Sequence, residues 1–288
     1  MLRAVSLFVA FFVSLTTASA QTDIPAGSRL EAIVNNKAIR IAYRADATPF
    51  SFVRDGGEPV GYSIDVCKLV VKAIERQLVL QDGIKIEWVP VTVQTRFSAI
   101  ADGKADIECG SSTMSLARMR EVDFSNAMFV ESTGLLVARA ANIGAFADMK
   151  QKKIAVVGGT TNEQALMRAI ARQNVDVTLV AVQDRDEGIA ALEAGKVDGY
   201  ASDKLLLVGA QLKHPEALAM LPDDLSIEPY AIALPRGDWA LRWAVNTGLA
   251  QVLRSGQVVP IYQKWFGQFG LEPGVLLRAA YLLGALPD

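Results

Sequence analysis

Short strand-like and helix-like runs alternate along this chain, and that alternation restricts the fold more than any other sequence feature. Ile39–Tyr43 is rich in β-forming residues, and Gly61–Leu78 then carries apolar residues every three or four positions, which predicts a helix. The order returns further along, with a strand predicted over Lys153–Val157 and a helix over Thr161–Gln173. The pattern predicts an α/β architecture.

An eight-residue pattern that occurs twice indicates two similar lobes. Residues 99–106 and residues 191–198 each combine a helix end, a glycine and the start of a strand. Ser111 and Asp203 each stand eight residues after the glycine of their copy. Ligands bind just outside the carboxyl ends of strands in open α/β sheets. The repeat therefore predicts both residues at a ligand site.

Two extended stretches, residues 132–139 and 227–236, are predicted to connect the lobes. The first lobe would contain residues 21–134 and 231–288, and the second lobe would contain residues 135–230. Two such connectors make a natural hinge, and hinge closure around a ligand is a recurring mode of conformational change.

The first twenty residues predict export from the cytoplasm. Arg3 precedes an apolar run from Ala4 to Leu15, and small residues end at Ala20. These are the parts of a secretory signal peptide. A membrane anchor is the alternative, but the run is shorter than the roughly 20 residues that span a bilayer. We expect a signal peptide over residues 1–20 and a periplasmic protein.

Composition disfavours several classes of function. The formal net charge of −2 at pH 7 does not suggest nucleic acid binding, which requires clustered basic residues. His214 is the single histidine, and no residues show zinc-ligand spacing, so neither a catalytic triad nor a metal site is predicted. No cofactor is expected. Cys67 and Cys109 would form a disulfide in an oxidising compartment, or would be two buried free thiols.

Glu108-Cys109-Gly110-Ser111-Ser112-Thr113, followed by Arg118, is the most informative stretch. The chain resembles the periplasmic solute-binding proteins for polar amino acids (family 3), and most of all their glutamate/aspartate-binding branch. The resemblance also includes Pro49-Phe50-Ser51-Phe52, Gly61-Tyr62-Ser63, Gln94-Thr95-Arg96, Gly159-Thr160-Thr161 and Tyr262-Gln263-Lys264-Trp265-Phe266. It implies the type II periplasmic-binding-protein fold, in which two α/β lobes are joined by two extended hinge strands. It further implies a monomer that binds an amino acid and delivers it to inner-membrane ABC permease subunits.

The resemblance assigns Arg118 to the α-carboxylate of the ligand. A guanidinium is a planar fork that fits a carboxylate with two hydrogen bonds. Ser111 and Thr113 would add hydroxyl groups to the same site. A surface arginine paired with Glu121 or Asp123 is the alternative.

The resemblance assigns Asp203 to the ligand's ammonium group, and a helix N-cap is the alternative role for this aspartate. Thr160 and Thr161 follow a strand and open a helix, where free backbone N–H groups favour an anion. An ordinary helix cap is the alternative at that position.

Specificity is predicted to depend on further arginines. Arg44 and Arg96 match arginines that the acidic branch uses for the side-chain carboxylate, and exposed surface positions are their alternative. Arg185 stands where that branch has a histidine, so it either strengthens acid recognition or is neutralised by Asp184 and Asp186. Aspartate and glutamate are not distinguished.

The sequence leaves two other functions open. A dehydratase on the same fold would need a general acid near the ligand, for which Glu108 and Glu163 are the candidates. A sensory protein would use the same ligand site with a receptor as its partner. One of the aromatic residues Phe50, Phe52 and Tyr62 is also expected to contact the ligand.

Overall fold

The computed structural model describes residues 24–54 and 56–287. The predicted signal peptide, residues 1–20, lies outside the described residues. Within the described part, no helix has the length and apolar character needed to cross a membrane.

The chain forms 13 strands and nine α-helices across the described residues. The strands are β1 (Ala38–Arg44), β2 (Asp46–Ala47), β3 (Ser51–Val53), β4 (Pro59–Val60), β5 (Lys85–Val91), β6 (Ile107–Glu108), β7 (Val122–Glu131), β8 (Thr133–Ala138), β9 (Lys152–Val157), β10 (Val177–Val182), β11 (Gly199–Asp203), β12 (Leu218–Met220) and β13 (Glu228–Pro235). The helices are α1 (Arg29–Asn36), α2 (Tyr62–Gln77), α3 (Arg96–Ala101), α4 (Thr161–Gln173), α5 (Arg185–Glu193), α6 (Lys204–Lys213), α7 (Trp239–Arg254), α8 (Val258–Trp265) and α9 (Val275–Gly284).

Two five-stranded sheets of matching topology form the two lobes. Their strand orders are β5-β1-β6-β13-β7 and β10-β9-β11-β8-β12. In each sheet the first three strands are parallel, and the last two are added by antiparallel pairing. The predicted two-lobed α/β fold is therefore confirmed.

The chain passes between the sheets twice. It leaves the first sheet after Glu131 and enters the second at Thr133, and it returns between Met220 and Glu228. These crossings lie within the predicted connectors or a few residues from them. The assignment of residues to lobes stays a prediction.

The repeated octapeptide has a structural counterpart in both lobes. Helices α3 and α5 are followed by Gly103 and Gly195, whose φ angles of +70° and +66° lie in the left-handed region that favours glycine. After the glycine, the chain enters β6 in the first lobe and β11 in the second. Each is the third of the three parallel strands in its sheet. Ser111 shortly follows β6 and Asp203 ends β11, so the repeat places both residues at strand ends.

Aromatic side chains fill the core of the first lobe. Phe50 and Tyr62 are fully buried and Phe52 is 8% exposed, and all three belong to one apolar cluster with Phe129 and Phe266. Their edge-to-face and tilted ring contacts are typical of aromatic cores. None of the three lines the cavity described below, so the expectation that one contacts the ligand is wrong.

Cys67 and Cys109 form a disulfide whose Cα atoms are 6.4 Å apart. It joins α2 to the residue after β6, and both residues are fully buried. Of the two alternatives left by the sequence, the structure has the bridge. The bridge fixes the chain immediately before the Ser111–Thr113 segment.

Loss of this bridge is expected to lower the free energy of unfolding by about 2–4 kcal/mol, because the unfolded chain gains conformational freedom over a 42-residue separation. Chemical denaturation of oxidised and reduced protein measures the difference. The double variant C67S/C109S serves as the control, because reductant should leave its unfolding midpoint unchanged. Equal midpoints for oxidised and reduced wild-type protein would contradict the expectation.

Candidate functional site

A cavity between the lobes is lined by all nine residues predicted for the ligand site. From the first lobe these are Arg44, Arg96, Ser111, Thr113 and Arg118, and from the second they are Thr160, Thr161, Arg185 and Asp203. The space open to the centres of water molecules is about 40 Å³, which suits a few waters or a small solute. The structure therefore brings the predicted set together, while the role of each residue remains a prediction.

Arg118 lies in a short 3₁₀ helix, and its guanidinium faces the cavity. Its Nη1 donates to the carbonyl oxygen of Thr113 at 2.8 Å, and its charge lies 5.2 Å from the centre of the Phe97 ring. Burial lowers its pKa. Among the described residues Arg118 makes no ion pair within 4 Å, and Asp123 instead approaches Arg242 at 3.6 Å. The alternative of a surface pair with Glu121 or Asp123 does not occur.

Arg96, the first residue of α3, is 4% exposed and lines the cavity. Its guanidinium lies 4.8 Å from the centre of the Phe97 ring, and its Nε has no hydrogen-bond partner in the described structure. Burial and the nearby charge of Arg118 lower its pKa to about 9. An anion placed between the guanidinium groups of Arg96 and Arg118 would offset their mutual repulsion and the cost of burying their charges.

Arg44 is also buried, but it already has a carboxylate partner. It ends β1, and its Nε and Nη2 donate to the two carboxylate oxygens of Asp46 at 2.7 and 2.6 Å. Burial opposes ionisation of Asp46, yet the hydrogen bonds and charge of Arg44 lower the pKa of that carboxyl overall. The sequence prediction missed this pair.

Asp203 lies at the N-terminus of α6, but its side chain does not cap the helix. Instead its Oδ1 accepts a hydrogen bond from Asn162 Nδ2 at 2.9 Å. Burial and the negative charge of Glu228 raise its pKa to about 6. The carboxylate is thus placed in the cavity wall without a cation, as an ammonium-binding group requires.

Thr160 and Thr161 begin α4 and have different roles. The Thr160 hydroxyl accepts from the backbone N–H of Glu163 at 3.1 Å and donates to the carbonyl of Val157 at 2.7 Å, so its side chain is an ordinary helix cap. Thr161 Oγ1 lies 3.3 Å from Thr113 Oγ1 of the first lobe. The second threonine therefore bridges the cleft.

Arg185 extends from α5 toward the first lobe. Its Nη1 donates to the carbonyl oxygen of Thr48 at 3.2 Å, and the nearest acidic group, Asp186, is 3.8 Å away with its side chain 80% exposed. Asp184 is instead the N-cap of α5 and accepts from the backbone N–H of Glu187 at 2.9 Å. Neither neighbour neutralises Arg185 closely.

The two candidate acids for the dehydratase alternative do not reach the ligand space. Glu108 is fully buried behind the cavity wall, and burial raises its pKa. Its carboxylate lies beneath Gly110, where a Cβ would meet it at 2.2 Å. Glu163 accepts from the backbone N–H of Gly159 at 2.8 Å and does not line the cavity.

Several wall residues were not predicted from the sequence. Asn162 positions Asp203, and Tyr200 and Ser202 line the cavity from β11 beside it. Val93 also lines the wall. The signal for β11 was available, since a strand ending in Ser-Asp presents polar groups at its carboxyl end.

Two lobes that close an arginine-rich cavity define a binding protein for a small anionic or zwitterionic solute. The chain belongs to the bacterial extracellular solute-binding proteins, family 3, whose family model matches residues 39–268. This family includes amino acid-binding components of ABC transporters.

Similar proteins agree with this assignment. The L-glutamate/L-aspartate-binding protein of Pseudomonas aeruginosa is 33% identical over 91% of this chain and 87% of its own length. The glutamate/aspartate import solute-binding protein of Escherichia coli K12 is 31% identical over 90% of this chain and 86% of its own length. Among solved structures, an ancestral amino acid-binding protein described as a precursor of cyclohexadienyl dehydratase is 29% identical, with a TM-score of 0.70 over 83% of this chain and 100% of its own.

Proposed function

We propose that this protein captures an acidic amino acid, glutamate or aspartate, and delivers it to an ABC importer. The observation that carries the proposal is the charge of the cavity wall, which has four arginines and two aspartates. Arg44 is already paired with Asp46. Arg96 and Arg118 make no ion pair within 4 Å among the described residues, and Arg185 has only the exposed Asp186 at 3.8 Å. Asp203 is the other carboxylate of the wall, while Glu108 and Glu228, which do not line the cavity, partly offset the charges of Arg96 and Arg118.

An acidic amino acid complements this arrangement. Its ammonium group pairs with Asp203, its α-carboxylate with Arg118, and its side-chain carboxylate with the remaining guanidinium groups. Charge-assisted hydrogen bonds of this kind are the strongest that side chains offer. A neutral amino acid supplies one carboxylate and leaves the guanidinium groups other than Arg118 without an anionic ligand group; the loss of one buried ion pair costs roughly 3–5 kcal/mol.

The relatives' names support the choice of an acid but vary across the family. The two relatives above are named for glutamate and aspartate, whereas a Rhodobacter capsulatus relative, 28% identical, is named for glutamate, glutamine, aspartate and asparagine. The surplus of arginine in this cavity favours the narrower, acidic range.

Titration calorimetry of ligand-free protein with aspartate, glutamate, asparagine and glutamine tests the specificity. We expect both acids to bind and the amides to bind at least about tenfold more weakly, because an amide side chain supplies no negative charge for the guanidinium groups other than Arg118. The amides match the acids closely in shape, so they isolate the charge. Equal affinity for acids and amides would contradict acidic specificity and leave amino acid capture intact.

The same proposal includes the setting in which the protein acts. The signal peptide predicted over residues 1–20 and the extracellular character of the family support a periplasmic location, where the protein would act as a monomer. Ligand would bind first to the arginines of the first lobe, and closure would add Asp203 and Thr161 from the second. The closed form would then dock onto inner-membrane permease subunits.

A further inference from the structure

Arg185 belongs to the walls of two separate spaces. One is the ligand cavity, and the other is a groove of about 330 Å³ between α5 and α6. Leu206 is the second side chain that both spaces share. These two side chains therefore lie between the ligand and a groove that reaches the protein surface.

The guanidinium of Arg185 donates to backbone carbonyls, and its nearest carboxylate, that of the exposed Asp186, lies 3.8 Å from Nε. Its Nη1 lies 3.2 Å from the carbonyl oxygen of Thr48 and 3.5 Å from that of Leu206. Its Nε is buried and has no hydrogen-bond partner among the described residues. Because Thr48 belongs to the first lobe and Arg185 to the second, the guanidinium spans the cleft at this end.

The groove beyond Arg185 could accommodate a longer ligand. Ile189 and Leu206 supply apolar surface next to Arg185, and Lys213 and His214 lie among the groove's lining residues. Methylene groups of an extended side chain would contact the apolar part next to Arg185. The charged lining of the groove is mixed, because Asp186 and Glu193 accompany Lys213 and His214. In the closed form Arg185 blocks this extension.

We propose that Arg185 is the end wall of the ligand cavity and determines the maximum length of the ligand's side chain. The inference rests on the proposed amino acid-binding function and specifies its substrate range. With the wall in place, amino acids of the size of aspartate and glutamate fit, and acids one methylene longer are rejected. The wall is complete only when the lobes are closed, since the Thr48 contact forms across the cleft.

Calorimetry with aspartate, glutamate and L-2-aminoadipate, which is one methylene longer than glutamate, tests the wall. For wild-type protein we expect aminoadipate to bind at least about tenfold more weakly than glutamate. In R185A this ratio should fall to about threefold or less, because the chain can extend into the groove. The ratio cancels any loss of charge attraction that affects both acids equally.

Two variants separate the wall from the charge of Arg185. R185Q removes the charge but keeps a long side chain with a donor amide, so it should retain most of the length discrimination. R168A, at an exposed position on α4, should behave as wild type. If R185A is poorly folded by circular dichroism, R185S provides the same truncation with a polar side chain.

Two results would overturn the inference: an unchanged aminoadipate-to-glutamate ratio in R185A, or an equal change of the ratio in R185Q and R185A. Failure of the proposed acidic specificity is distinguishable from this. If amides bind wild-type protein as well as acids do, the acidic specificity fails but the length test can still be made. It then uses asparagine, glutamine and the amide one methylene longer than glutamine in place of the three acids.

Discussion

Replacing Arg118 with alanine is expected to weaken amino acid binding by about a hundredfold or more. The side chain is partly buried, desolvation lowers its pKa, and it faces the cavity without an ion-pair partner in the described structure. Removing it leaves the ligand's α-carboxylate buried with one cation fewer. Breaking a buried ion pair costs roughly 3–5 kcal/mol, and each 1.4 kcal/mol is about tenfold in affinity.

Three measurements make this expectation specific to the Arg118 side chain. R118K keeps the positive charge but loses the planar fork, so we expect affinity between those of wild type and R118A. R120A is a matched control, because Arg120 lies on the same 3₁₀ helix with its side chain exposed. Thermal unfolding checks that each variant is folded. A folded R118A that binds within about threefold of wild type would exclude Arg118 as the main carboxylate ligand.

Periodicity was sufficient to predict most of the elements that build the site. The helix expected over Thr161–Gln173 has those bounds. It carries a cap at its N-terminus and a clear apolar stripe, which are local signals. Helix α6 was missed because its run Leu205–Val208 is continuously apolar and follows a strand without an intervening turn.

The pairing of charges could not be predicted in the same way. Whether Arg44 faces a ligand or Asp46 depends on how β1 and β2 turn relative to one another, and the sequence contains no period that reports it. The sequence likewise left two interpretations for each of two other residues. Asp203 could cap a helix or line the cavity, and Arg185 could be neutralised by its neighbours or line the cavity. Only the positions of Asn162 and Thr48, which come from distant parts of the chain, distinguish them.

Asp203 is expected to make ligand binding dependent on pH. Its carboxyl has a pKa raised to about 6 by burial and by the charge of Glu228, so it is largely neutral at pH 5 and ionised at pH 7. The ligand's ammonium group binds the ionised form. Binding below pH 6 must therefore release a proton, and affinity should fall about tenfold between pH 7 and pH 5. Free glutamate, with a side-chain pKa of about 4.3, stays mostly ionised over this range.

The variant D203N should bind at least about thirtyfold more weakly than wild type at pH 7, because one charged partner of the ammonium is lost. Its residual affinity should be flat between pH 5 and pH 7. D176N is the matched control, since Asp176 is an exposed aspartate that does not line the cavity, and its loss should change neither affinity nor its pH dependence. Calorimetry in buffers of different ionisation enthalpy measures the released proton directly. Unchanged or rising wild-type affinity on acidification would show that Asp203 does not hold the ammonium group.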